Sequence, residues 1–63
     1  MEEWQDRVIK EKKELGEKLE KLIFFINSPE VENLNYINKK LLKQQRLAME
    51  LYFVTLERRI EEF

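Results

Sequence analysis

Apolar residues fall at helical spacing along most of the chain. From Glu2 to Asn27 they are Trp4, Val8, Ile9, Leu15, Leu19, Leu22, Ile23 and Ile26, with Glu and Lys between them. Steps of three, four and seven residues put such positions on one face of a helix, so the pattern predicts an amphipathic α-helix over residues 2–27. Gly16 lies inside it, in line with Ile9 and Ile23 at the edge of the stripe, at a cost of about 1 kcal/mol relative to Ala. Two accounts of it stand: another backbone approaches closely there, or the site tolerates the loss. The stripe also has a hole, because Glu11 and Lys12 occupy the positions expected to be buried between Val8 and Leu15. Either their stems cover the core while the heads reach water, or a polar pocket cuts into the helix interface.

Pro29 stops this helix, since proline lacks the next ladder N–H and disfavours helical backbone at the residue before it. Ser28 as N-cap and Pro29 at the first helical position predict a single turn over Pro29–Asn33. Asn35 is then placed to cap a second helix over residues 36–62, which no Gly or Pro interrupts. In that helix Leu42, Met49 and Leu56 form the main stripe with Tyr52 and Phe53 alongside, while Leu47, Leu51 and Val54 fall roughly opposite. A helix apolar on two sides needs two neighbours. The connector, residues 28–35, is short, so the helices return antiparallel. The expected fold is all-α: one domain, residues 1–63, folded as an antiparallel two-helix hairpin with a short connecting turn, assembling into a helical homo-oligomer.

Composition strengthens the case for assembly. Sixty-three residues bury a small core, and small scaffolds commonly gain stability from disulfides, metals or partners. The chain has no Cys and no His, which excludes disulfides and removes the usual zinc ligands, leaving association with further copies. Twelve basic residues oppose 13 acidic ones, for a net charge of −1, so no global field draws the chain to duplex DNA or to an anionic membrane. The longest apolar run, Leu22–Ile26, is far too short to span a bilayer, and the acidic start MEEWQDR lacks the order of a signal peptide. The expected location is the cytoplasm. Charge is uneven within the second helix, whose first half carries Lys39, Lys40, Lys43 and Arg46 and whose end carries Glu57, Glu61 and Glu62. That polarity suits hairpins meeting head to tail, though a solvated charged face has the same pattern.

Without imidazole or thiol, and with Ser28 and Thr55 as the lone Ser and Thr, the chain offers little to catalysis. No catalytic residues, cofactor or metal are expected. Pairing the helices about the turn sets Leu15 opposite Met49, Val8 opposite Leu56 and Lys12 opposite Tyr52. Gln45, Tyr52 and Arg59 recur every seven residues along one edge of the stripe. Arg7, Glu11, Lys12, Gln45, Tyr52 and Arg59 thereby form a candidate polar seam. A Tyr ring gives a base something to stack on, and Arg and Lys give phosphate charge-assisted hydrogen bonds. The same residues also suit a structural reading: Glu11 pairs with Arg59 or Arg7, Tyr52 places its hydroxyl on that pair, and Gln45 marks register. Trp4, Phe25 and Phe63 are suited to closing the hairpin's ends. Phe24 lies on the outer face, and with Leu47, Leu51 and Val54 it forms the candidate oligomer interface.

RVIKEKKEL at Arg7–Leu15, with Leu22 and Phe25, and LLKQQRLAMELYFVTLERRI at Leu41–Ile60 resemble a group of very short bacteriophage proteins named for relatives in crAss-like phages. The recurrent features are an Arg-Val-Ile-x-Glu-Lys opening and the spacing of Gln45, Met49, Tyr52, Leu56, Arg59 and Ile60, which together cover nearly the whole chain. The chain departs from the pattern at Val31 and through Asn33–Asn38. In size and architecture it is also similar to small helical phage sponges that sequester the cyclic nucleotide or ADP-ribose-derived messengers of CBASS and Thoeris immunity. That similarity implies a host-cell sponge in which Tyr52 stacks on a base, Arg7, Lys12 and Arg59 meet phosphates, and Gln45 and Glu11 read polar edges. A protein-interaction module docking on a host or phage protein through Leu47, Leu51, Val54 and Phe24 is the alternative.

Overall fold

A computed structural model describes the whole chain, Met1–Phe63. Helix α1 (Glu3–Ile26) and helix α2 (Tyr36–Glu61) run antiparallel, joined through a 3-10 turn at Pro29–Asn33. The hairpin is a rod of 46 × 15 × 13 Å.

Local chemistry accounts for each boundary. Before α1, Gln5 Oε1 accepts from the backbone N–H of Glu2 at 2.8 Å, which uses one of the donors a helix start leaves over. At the start of α2 the Asn35 side chain accepts from the Asn38 N–H at 2.8 Å, as its capping position predicts. Ser28 behaves differently from expectation: its hydroxyl donates backwards to the Phe25 carbonyl at 2.7 Å, closing the end of α1 instead of capping the turn. The turn is tied to α2 by Lys39, whose Nζ donates to Glu32 Oε2 at 2.8 Å. That hydrogen bond first, then the charges of Lys39 and Lys43, hold the Glu32 carboxyl below the usual glutamate range.

The core is narrow. Val8, Leu15 and Leu56 are buried, with Met49, Phe53 and Ile60 packed against them. Leu56 is wholly enclosed, a burial worth about 1.5–3 kcal/mol. Gly16 has a specific role at the edge of this core. A Cβ built on it would lie 3.0 Å from Phe53 Cε1, closer than the ~3.5–4.0 Å of ordinary carbon contact. The close approach is therefore made by an aromatic ring of α2 and not by a backbone. Along α1 the ion pairs are Arg7–Glu3 at 3.6 Å and Lys10–Glu14 at 3.9 Å, exposed contacts each worth a few tenths of a kcal/mol at about the level of helix pairs. The last turn of α2 carries Arg58 and Arg59 beside its acidic residues, and Arg58 Nε lies 3.7 Å from Glu61 Oε2.

No helix is long and apolar enough to cross a membrane.

Candidate functional site

In two antiparallel helices the residues flanking the core stripe fall on one of two long edges, and the ~100° step per residue decides which. Glu11 and Lys12 straddle the stripe of α1 and so take opposite edges. Lys12 does not face Tyr52, as the turn-centred pairing expected. Its Nζ lies 3.7 Å from Glu57 Oε2 and 5.4 Å from the centre of the Phe53 ring, over the notch left by Gly16. This first edge is a packed ion pair with an aromatic floor, and Lys12 is half-buried in it.

The second edge carries the other five seam residues: Arg7 and Glu11 from α1, and Gln45, Tyr52 and Arg59 from α2. All five are exposed. Arg7 reaches only Glu3 of its own helix, and Gln45 Nε2 makes a weak 3.8 Å contact with Met49 Sδ. Glu11, Tyr52 and Arg59 have no hydrogen-bond or ion-pair partner within the chain. The structural network that would have joined Glu11, Arg59, Arg7 and the Tyr52 hydroxyl is not formed. The edge therefore presents a carboxylate, a phenol, an amide and two guanidiniums with most of their hydrogen-bonding capacity unspent.

Open grooves lie at both ends of this edge. Near the connector, Gln45 borders one of about 430 Å³ with Phe25, Leu34, Asn38, Leu41 and Leu42. At the other end Arg59 borders one of about 340 Å³ with Trp4, Thr55, Arg58, Glu62 and Phe63. The sequence suits Trp4, a position of the α1 apolar stripe, and Phe63 to closing the hairpin. Their rings do meet, edge to face at 5.1 Å and 80°, yet Trp4 stays 47% exposed. The signal that places Trp4 on this edge was present, since it precedes Val8 and Glu11 by steps of four and seven.

The candidate interface residues do not share one surface. Leu47, Leu51 and Val54 lie together on the outer face of α2, 67%, 70% and 51% exposed. Phe24, 80% exposed, is on the outer face of α1, beside Glu20, Asn27 and Pro29, and α1 and α2 turn their outer faces in opposite directions. Total accessible surface is 5300 Å², against about 4,400 Å² for a folded monomer of this mass by the usual size scaling.

No curated protein and no solved structure matches the chain. A family model described as Sequestin matches residues 2–62, so that the match takes in both helices, the turn and every seam residue, and the protein belongs to the Sequestin family.

Proposed function

We propose that the protein is an oligomeric sponge that binds a cyclic nucleotide-type or ADP-ribose-derived immune messenger and holds it unchanged, as phage inhibitors of CBASS or Thoeris do. The family's name, Sequestin, suggests sequestration, which supports binding without turnover. The observation that carries the reading to a site is the set of unpartnered groups on the second edge, Glu11, Tyr52 and Arg59, with Arg7 and Gln45 beside them. Tyr52 offers a stacking face, Arg7 and Arg59 meet phosphate, and Gln45 and Glu11 read polar base edges. Lys12 serves the hairpin itself through Glu57 and Phe53.

The exposed surface supports assembly. The excess of roughly 900 Å² over the monomer scaling is close to the ~800 Å² that each partner gives to a standard interface, and Leu47, Leu51 and Val54 supply its apolar centre. An antiparallel meeting of two α2 helices there sets the basic first half of each near Glu57, Glu61 and Glu62 of the other, whose charge Arg58 and Arg59 offset in part. A site on the hairpin's edge then borders a neighbouring copy, which encloses a ligand that one chain leaves open. The same exposed face also supports the alternative of docking on a different protein.

A thermal-shift panel of cyclic di- and trinucleotides and cyclic ADP-ribose isomers tests sequestration. A messenger at 100 times its Kd stabilises the protein by about 2.7 kcal/mol, a rise in Tm of roughly 10 °C or more for so small a domain. A flat response across the panel removes the sponge reading and leaves the docking module.

A further inference from the structure

The end groove contains groups that the seam does not use. Trp4 comes from the first turn of α1, and Thr55, Arg58, Arg59, Glu62 and Phe63 come from the end of α2. Trp4 is the largest side chain in the protein, and half of it faces water although the core is short of apolar material. Its contact with Phe63 is edge to face, so the two rings are not stacked on one another, and the exposed part of the indole offers a surface to a planar group. The two guanidiniums differ. Arg58 is engaged by Glu61 at 3.7 Å, whereas Arg59 has no ion-pair partner. With Arg58 engaged by Glu61, Arg59 is the guanidinium left to meet an anion, beside the Glu62 carboxylate, and the groove's ~340 Å³ falls at the lower end of the range of small-molecule sites.

We propose that this groove is a nucleotide subsite: a base lies on Trp4, a phosphate meets Arg59, and Glu62 accepts a hydrogen bond from an exocyclic amine. The inference rests on the sequestering reading for the kind of ligand, but it adds a second aromatic platform at the end of the Gln45–Tyr52–Arg59 row. Arg59 lines the groove with Trp4 and follows Tyr52 by two helical turns, roughly 10 Å along α2, so one phosphate held at Arg59 serves a ligand that extends from one ring toward the other.

Trp4 is the only tryptophan, so its emission reports on the groove without any mutation. The intact protein is titrated with 5′-AMP, cyclic di-AMP and cyclic ADP-ribose, following Trp4 fluorescence and, in parallel, heat. Saturable quenching by at least one probe is expected. Trp4→Leu should weaken that probe about tenfold, the order of one lost base–aromatic stack. Trp4→Phe, which keeps a ring against Phe63, should stay within a few-fold of wild type. A probe that binds by calorimetry yet leaves Trp4 emission unchanged overturns the subsite while sequestration stands. Quenching by 5′-AMP with no response to any messenger sinks sequestration and keeps the subsite.

Discussion

Gly16 and Phe53 give the sharpest test of how the hairpin is held. A methyl at position 16 meets Phe53 Cε1 at 3.0 Å and the neighbouring ring carbons at 3.8 Å, so the ring must retreat by about half an ångström to restore ordinary contact. For Gly16→Ala the helix gains about 1 kcal/mol of propensity. Moving a half-buried ring costs a similar amount, at the low end of the ~1–3 kcal/mol of overpacking, and the net change should lie within about 1 kcal/mol of zero. Gly16→Leu cannot be absorbed in this way. It should destabilise by about 2 kcal/mol, and it should also displace the ring over which Lys12 sits. Phe53→Ala empties the notch, so in the double variant the Leu side chain gains room, and the two changes should couple by at least about 1 kcal/mol. Urea unfolding followed by helical circular dichroism, with all variants at one protein concentration because assembly adds to stability, measures each value. A Gly16→Leu protein as stable as wild type, or strictly additive single and double variants, would refute the notch.

Other consequences follow from the same geometry. Leu51→Glu places a charge at the centre of the outer face of α2, so sedimentation should show dissociation of the assembly, and a wild-type mass equal to one 7.8 kDa chain would defeat assembly outright. Lys12→Ala should lower stability modestly and leave messenger affinity within about twofold, whereas Arg59→Ala should cost about tenfold or more in affinity; equal effects would put the site on the wrong edge. Because Glu32 is held below its ordinary range by Lys39, the contribution of that pair is present above the unfolded glutamate pKa and is lost as pH falls through the lowered folded one. An NMR titration should show the low Glu32 midpoint, and Lys39→Ala should return it to the ordinary range.

The hairpin was legible because three independent signals agree on it. The α1 stripe, the break at Pro29 and the Asn35 cap all act locally, and local chemistry is what a sequence displays directly. Register across the pair was less legible. Centring on the turn set Lys12 against Tyr52, but Cα–Cβ bonds lean toward each helix's own N-terminus, and in an antiparallel pair this lean moves side-chain partners along the rod. The seating of Phe53 over Gly16 then fixes the alignment, and a glycine in a stripe does not announce what will fill it. The two edges were in fact readable: Glu11 and Lys12 are one ~100° step apart and straddle the core, so grouping them as one hole in the stripe lost the distinction. Trp4 was missed for a related reason, since an aromatic near a hairpin's end reads as closure until its exposure is seen. Phe24 and Leu51 are both outward-facing, but outward has two directions in a hairpin, which periodicity within each helix does not relate.

Sequestration itself is tested most directly by recovering what the protein holds. Equilibrium dialysis of the wild-type protein against the messenger panel, followed by heat denaturation and mass spectrometry of the released fraction, measures retention and chemical integrity together. The account predicts that at least one cyclic nucleotide or ADP-ribose-derived messenger is concentrated on the protein side and released with its mass unchanged. Retention of none, or release of a product of altered mass, would contradict it.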